Sequence, residues 1–273
     1  MDIVTDFQGK SVIITGGSKG IGRETARLFL HSGATVTITG RSADSLEKTL
    51  LELSGIGSPV HAVRADVSIE ADCRRTVETT LKNAGGIDIL INNAGMSARG
   101  RFEETDIGLY RTLLGINFLG PVMMSRLCLT EILKNRGSII FISTLAALKG
   151  LPGLSHYSSS KMPLTGFSEA IRGELRHKGV HVSTIYVGFT GNDPDKTIYD
   201  SVGNRIPLKR DRNSLTQQDV ASAILKAVKR RTGNRVLSFV GVIASLLYRF
   251  FPRLSETVLA GVTLKSPMYK SGQ

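Results

Sequence analysis

The stretch HYSSSK places Tyr157 and Lys161 four residues apart. On a helix that spacing stacks two side chains one turn apart, so a phenol and an ammonium face the same small volume. An isolated phenol titrates near ~10, well above neutrality. Such a pair is either a proton-transfer device or a piece of helix surface, and the rest of the chain must decide.

A second chemical stretch is TGGSKGIG, with glycines at 16, 17, 20 and 22, followed by the helical RETARLFLHSG. Glycines allow a tight turn and close approach of backbone to a ligand, and the following helix start offers N–H groups to phosphate oxygens. A pyrophosphate suits that place. No Gly-Lys-Ser/Thr follows, so this is not a Walker A loop, and the spacing also departs from strict G-x-G-x-x-G. After the next strand, TITGRS puts Arg41 and Ser42 where an NAD-binding fold usually has an acid. Lys19 adds a second cation, so NADP(H) is expected in preference to NAD.

The elements that must hold these residues are short β-rich runs at 11–15, 35–39, 60–63, 87–91, 138–142 and 180–187, separated by helix-length segments. That alternation reads as repeated βαβ units. The expected fold is a single-domain, Rossmann-like α/β doubly wound parallel sheet with helices on both faces. Two segments break the rhythm. Residues 188–212 read as a loop or mobile lid. RVLSFVGVIASLLYRFFP carries no charge from 236 to 248, and 236–240 read as the last strand. As a helix the uncharged run spans only ~20 Å, short of the ~30 Å hydrocarbon core. The catalytic domain is placed at 1–240 and an apolar, basic extension at 241–273.

Composition narrows the class. With 41% hydrophobic and 21% charged residues the chain is globular, neither disordered nor fibrous. Its two cysteines, Cys73 and Cys128, form at most one bridge, so they read as core fillers in a reducing compartment. No secretory signal is visible in the first residues, so the expected location is cytoplasmic, with peripheral association at a membrane surface left open. The net charge of +12 raises the question of nucleic acid. No recognisable reading motif or aromatic interleaving supports it, and no nucleic-acid partner is expected. Lys226, Lys229, Arg230, Arg231 and Arg235 instead crowd the approach to the apolar segment, as at a membrane surface.

TGGSKGIG, NNAG at 92–95, and Tyr157-x-x-x-Lys161 with Ser143 upstream, in this order and each near a strand end or on the following helix, resemble the short-chain dehydrogenase/reductase (SDR) family. The resemblance covers roughly residues 8–240. It implies that Tyr157 is the general acid/base and that Lys161 favours its phenolate and holds the nicotinamide ribose. It implies that Ser143 hydrogen-bonds the substrate oxygen and that Asn117 holds a water in a proton relay. Cofactor contacts carried over are Gly16, Ser18, Lys19, Gly20, Ile21 and Gly22 of the turn, then Arg41 and Ser42. Asp66 and Val67 stand near the adenine, Asn93, Ala94 and Gly95 beside the ribose, and Gly188 and Thr190 by the nicotinamide. No metal is expected. The chain departs from the pattern at Val187, where the family commonly has proline, and at Pro163, expected to kink the helix after both members of the Tyr–Lys pair.

The expected activity is NADP(H)-dependent hydride transfer at a carbonyl or alcohol carbon. Leu145, Leu148, Leu151 and Leu154 surround the predicted site, so the substrate expected is a hydrophobic small molecule, lipid- or steroid-like. The alternative is a non-catalytic dinucleotide sensor or scaffold, which has no need of Ser143, Tyr157 and Lys161 together. By analogy with the family a homodimer or homotetramer is expected, the C-terminal segment serving a subunit contact or a membrane interface.

Overall fold

The computed structural model describes residues 6–188, 190, 197–207, 215–251, 253, 255–258 and 261. Strands and helices alternate from β1 (Ser11–Ile14), α1 (Gly20–His31), β2 (Thr35–Gly40), α2 (Ala43–Ser54), β3 (Val60–Arg64) and α3 (Glu70–Ala84) to β4 (Ile89–Asn92). Then follow α4 (Ile107–Leu114), α5 (Gly120–Lys134), β5 (Ser138–Thr144), α6 (Ser155–Arg176) and β6 (His181–Val187). The last elements are a hairpin of β7 (Thr197–Tyr199) and β8 (Arg205–Pro207), α7 (Gln217–Arg230), β9 (Arg235–Val236) and α8 (Phe239–Phe250).

Seven parallel strands run in the order β3-β2-β1-β4-β5-β6-β9. The chain moves outward from β1 through β2 to β3, then returns to start the other half at β4. The crevice beyond the carboxyl ends of β1 and β4 is therefore the switch point where open α/β sheets bind ligands.

Alternate residues along the strands feed two cores. Val12, Ile14, Val36, Ile38, Ile89, Ile91, Ile140 and Ile185 pack with Phe29, Leu30, Leu53 and Ile224. Ile13, Leu90, Ile139 and Phe141 pack on the opposite face with Leu113, Met124, Leu164 and both cysteines. The thiols are free, and burial pushes Cys73 up to about 11 and Cys128 higher still, which makes them inert filling.

Three boundaries differ from the sequence expectation. The 188–212 segment is not wholly a loop: it contains the antiparallel pair β7–β8, while 189, 191–196 and 208–212 lie outside the described residues. The last strand is confined to Arg235–Val236, because Ser238 caps α8 by accepting a hydrogen bond from the Gly241 N–H (3.0 Å). Pro163 does not break α6, which runs through it for 22 residues.

Among the described residues, one stretch, Ile107–Lys134, is a helix long and apolar enough to cross a membrane by length and composition. It is the joined α4 and α5, and Leu113, Ile116, Met124, Cys128 and Ile132 sit in the sheet core.

Candidate active site

The glycine turn is shaped by backbone conformation and by crowding. Gly16 and Gly20 have φ of +65° and +56°, a region that favours glycine. A Cβ on Gly22 would collide with the Gly16 carbonyl oxygen, and one on Gly16 would come within 2.9 Å of the Ala94 Cα. No side chain caps α1 at Lys19, and no acid occupies its first turn. An uncapped helix start with its positive dipole end is a place for an anion.

The NNAG segment braces this turn. The Asn93 side-chain N–H groups donate to the carbonyls of Thr15 and Gly16 (both 3.0 Å), and the backbone N–H groups of Asn93 and Ala94 donate to Thr15 Oγ1 (both 3.0 Å). Gly95 lies where a Cβ would stand 3.2 Å from Asn117 Oδ1 and 3.4 Å from Lys161 Nζ. The phosphate turn and the Tyr–Lys helix thus meet through three residues.

At the ends of β2 and β3, Arg41 is half exposed, with a nitrogen 3.9 Å from Asp66 Oδ2. Asp66 Oδ1 accepts from the Ser68 N–H (2.9 Å) and hydroxyl (2.7 Å). Ser42 has a structural duty: it caps α2, its Oγ accepting from the Ser45 N–H (3.3 Å). Ser18 accepts from Thr49 Oγ1 through its carbonyl (2.8 Å), Lys19 is exposed, Ile21 packs on the first core, and Val67 is buried. Two arginines were not anticipated here. Arg64 Nε donates to the Arg41 carbonyl (3.2 Å) and Arg75 donates to the Arg64 carbonyl (2.7 Å), so the turn that carries Arg41 is braced from behind.

Ser143 and Lys161 are brought together at the end of β5. Lys161 is buried, and one of its N–H donors goes to the Ile142 carbonyl (3.1 Å), the residue before Ser143. Tyr157, half-buried, lies one turn earlier on α6. Ser143 is 4% exposed, and its Oγ is buried with no hydrogen-bond partner among the described residues. Buried hydroxyls are normally satisfied, and those of Ser11, Thr37, Thr39, Ser158 and Thr232 are orphaned in the same way, so what singles out Ser143 is its place at the end of β5, next to the residue whose carbonyl holds Lys161.

Asn117 is fully buried and saturated: its Oδ1 accepts from the Met96 N–H, and its Nδ2 donates to the Met96 carbonyl and to Ser160 Oγ (2.9 Å each). It sits in a π turn, Gly115–Leu119, in which the Gly120 N–H returns to the Gly115 carbonyl. Pro121 supplies no N–H to the Asn117 carbonyl four residues back, and the helix widens there. Pro121 was the sequence signal for this turn.

Next to Tyr157, His156 is wholly buried, its ring edge-on to Tyr110 at 5.8 Å. Burial holds its pKa below the ordinary value, partly opposed by the Ala98 backbone. Val187 continues β6 opposite Thr144. Gly188 faces Leu145 and Ser238, and Thr190 is buried and bridged to Leu215.

A family model described as short chain dehydrogenase matches residues 10–202. The 11-beta-hydroxysteroid dehydrogenase-like 4A of Arabidopsis thaliana is 37% identical over 186 residues, 67% of this chain and 62% of that protein. The chain thus spans under two thirds of that relative's length. A short chain dehydrogenase/reductase from Burkholderia phymatum, solved in complex with NAD, superposes with a TM-score of 0.79 at 21% identity, covering 91% of this chain and 96% of that one. A short chain dehydrogenase from Burkholderia cenocepacia, solved with NADP, gives 0.75 at 24% identity, covering 85% and 97%. The two solved neighbours show the fold alone, and they hold different nucleotides. Sequence and backbone agree, and the chain belongs to the short-chain dehydrogenase/reductase family, oxidoreductases that act on hydroxyl or carbonyl groups with a nicotinamide dinucleotide.

Proposed function

We propose that this protein transfers hydride between NADP(H) and a carbonyl or alcohol carbon of a hydrophobic, steroid-like substrate. The observation that carries the reading is the orphaned Ser143 hydroxyl beside the buried Lys161 ammonium, one helical turn from Tyr157. A sensor that only bound nucleotide would gain nothing from leaving that hydroxyl unsatisfied.

The residues present fit a dinucleotide. The uncapped start of α1 and the glycine cradle would hold the pyrophosphate, and Arg41 with Lys19 would favour the 2′-phosphate. When bound, the nicotinamide supplies or accepts the hydride. In reduction, Ser143 Oγ donates a hydrogen bond to the substrate oxygen as negative charge grows on it, and Tyr157 delivers the proton. Lys161 favours the phenolate left behind. The Asn117 side chain is committed to Met96 and Ser160, so its main-chain carbonyl is the group assigned to a relay water.

Substrate chemistry is read from the apolar wall after Ser143. Leu145, Leu148, Leu151 and Leu154 are partly buried there, and the Arabidopsis relative carries a hydroxysteroid dehydrogenase name. The C-terminal face of α8, with Val242, Ile243, Leu246 and Phe250 exposed beside Phe251, is assigned to an apolar neighbour, either a membrane surface or another subunit of a homo-oligomer.

The test is NADPH consumption with a panel of steroid and lipid ketones, an 11-oxosteroid first, and Tyr157→Phe as the reference. Turnover in the wild type that Tyr157→Phe loses supports the reading. Turnover that survives in Tyr157→Phe defeats the assignment of the acid, and tight nucleotide binding without turnover on any ketone or alcohol returns the sensor alternative.

A further inference from the structure

The hairpin that follows β6 is fixed to the rest of the molecule by its backbone. The Arg99 N–H donates to the Tyr199 carbonyl (2.8 Å), the Tyr199 N–H to the Ser97 carbonyl (3.0 Å), and the Asp106 N–H to the Ser201 carbonyl (2.9 Å). Close approach requires Gly100, where a Cβ would stand 2.9 Å from the Ser201 Cα. The turn of the hairpin is equally set. Asp200 Oδ1 accepts from the N–H groups of Val202 (3.1 Å) and Asn204 (2.8 Å), and Gly203 has φ +88°.

This docking pairs Tyr199 of β7 with Ala98, in the segment that continues from Gly95. Arg205, exposed on β8, donates through Nε to the Tyr199 hydroxyl (3.3 Å) and lies over its ring, 6.0 Å from the centroid. Burial alone would raise the Tyr199 pKa, but hydrogen bonds and charge from Arg205 and then Arg41 lower it. The Tyr199 phenol, held by Arg205 of a hairpin far along the chain, thus also feels the charge of Arg41 from the turn after β2. Among the described residues, Asp66 lies 3.9 Å from Arg41, and Asp200 is engaged by its own turn.

We propose that Arg205, held over Tyr199 by the docked hairpin, is the second arginine for the 2′-phosphate of NADP(H), acting with Arg41 as a two-cation clamp. This rests on the NADP(H) reading above and adds a residue to it. A phosphomonoester dianion is the ligand whose charge and acceptor oxygens match two guanidinium groups and a phenol.

Titration of NADPH and NADH by the emission of the bound nucleotide, in a chain without tryptophan, tests it. Adenosine 2′,5′-bisphosphate and 5′-AMP serve as competing probes. Arg205→Ala is expected to weaken NADPH and the bisphosphate by about tenfold, as for one charge-assisted hydrogen bond, with NADH and AMP unchanged. Gly100→Val, which pushes the hairpin away, is expected to reproduce that loss without adding to it in the double variant. If Arg41→Ala loses the NADPH preference while Arg205→Ala keeps it, the clamp is wrong and the NADP(H) reading stands. If the wild type shows no preference for NADPH, both fall.

Discussion

Just past β4, the Asn93 amide and the hydroxyl of Thr15 are tied into a bracing network under the glycine turn. At the end of neighbouring β5, the Ser143 hydroxyl is buried, as Thr15 is, and has no partner among the described residues. Both sites lie along the crevice at the carboxyl ends of the central strands, so burial alone does not distinguish them. Saturated polar groups hold the cradle in shape, whereas the proposed role of the Ser143 hydroxyl is to meet the substrate oxygen. The difference separates what a substitution should do to stability from what it should do to rate.

The largest effect is expected on the reacting side. Tyr157→Phe should reduce kcat by about 10²–10⁴, the usual contribution of a positioned acid, with nucleotide binding retained in the same fluorescence titration. Ser143→Ala should cost about 10²–10³ in kcat, as for one lost donor to a developing oxyanion. Because the hydroxyl satisfies nothing in the protein, its thermal midpoint should stay level or rise. A falling midpoint would mean that Ser143 belongs to the bracing class.

Asn93→Ala should reverse that pattern. It leaves the Thr15 and Gly16 carbonyls without their side-chain donor, a loss of about 2 kcal/mol in urea denaturation. Activity should fall through loss of folded protein and of nucleotide affinity. Unchanged stability would dissolve the contrast between the two strand ends.

A smaller effect concerns pH. His181 is buried between Ser138 Oγ and the Thr232 carbonyl, and burial holds its pKa below the ordinary 6.5 despite the Thr232 bond. The unfolded chain therefore binds the proton more readily. The stabilising contribution is complete above about pH 6.5 and is lost as pH falls toward the folded value. His156 adds in the same direction. Denaturation midpoints from pH 7.5 to 5 should decline, and His181→Gln should flatten part of that slope. The smallest effect is Ser42→Ala, about 1 kcal/mol from the lost cap of α2, readable as a shift in urea midpoint.

Much of this arrangement is legible in the sequence. The six longer strands declared themselves as short β-branched runs, five of them buried on both faces and β3 at the sheet edge, and the glycine turn, NNAG and the Tyr–Lys pair follow strand ends in family order. The hairpin was hidden because β7 and β8 are three residues each, too short for alternation to register. Asp200 with Gly203 was the available turn signal. The end of the sheet was misjudged because an uncharged apolar run suits strand or helix equally, and the Ser238 cap decides for helix. Arg205 and Tyr199 were beyond reach of any motif, since their meeting with Arg41 depends on how Gly100 lets a distant segment dock.

Ser143, Tyr157 and Lys161 are proposed to form a working site rather than a preserved shape. This is tested most directly by the rate of NADPH oxidation with a steroid ketone, compared between wild type, Ser143→Ala and Tyr157→Phe at saturating nucleotide. The account predicts turnover in the wild type and losses of at least about a hundredfold in both variants, with nucleotide affinity intact. Equal rates in all three proteins would contradict it.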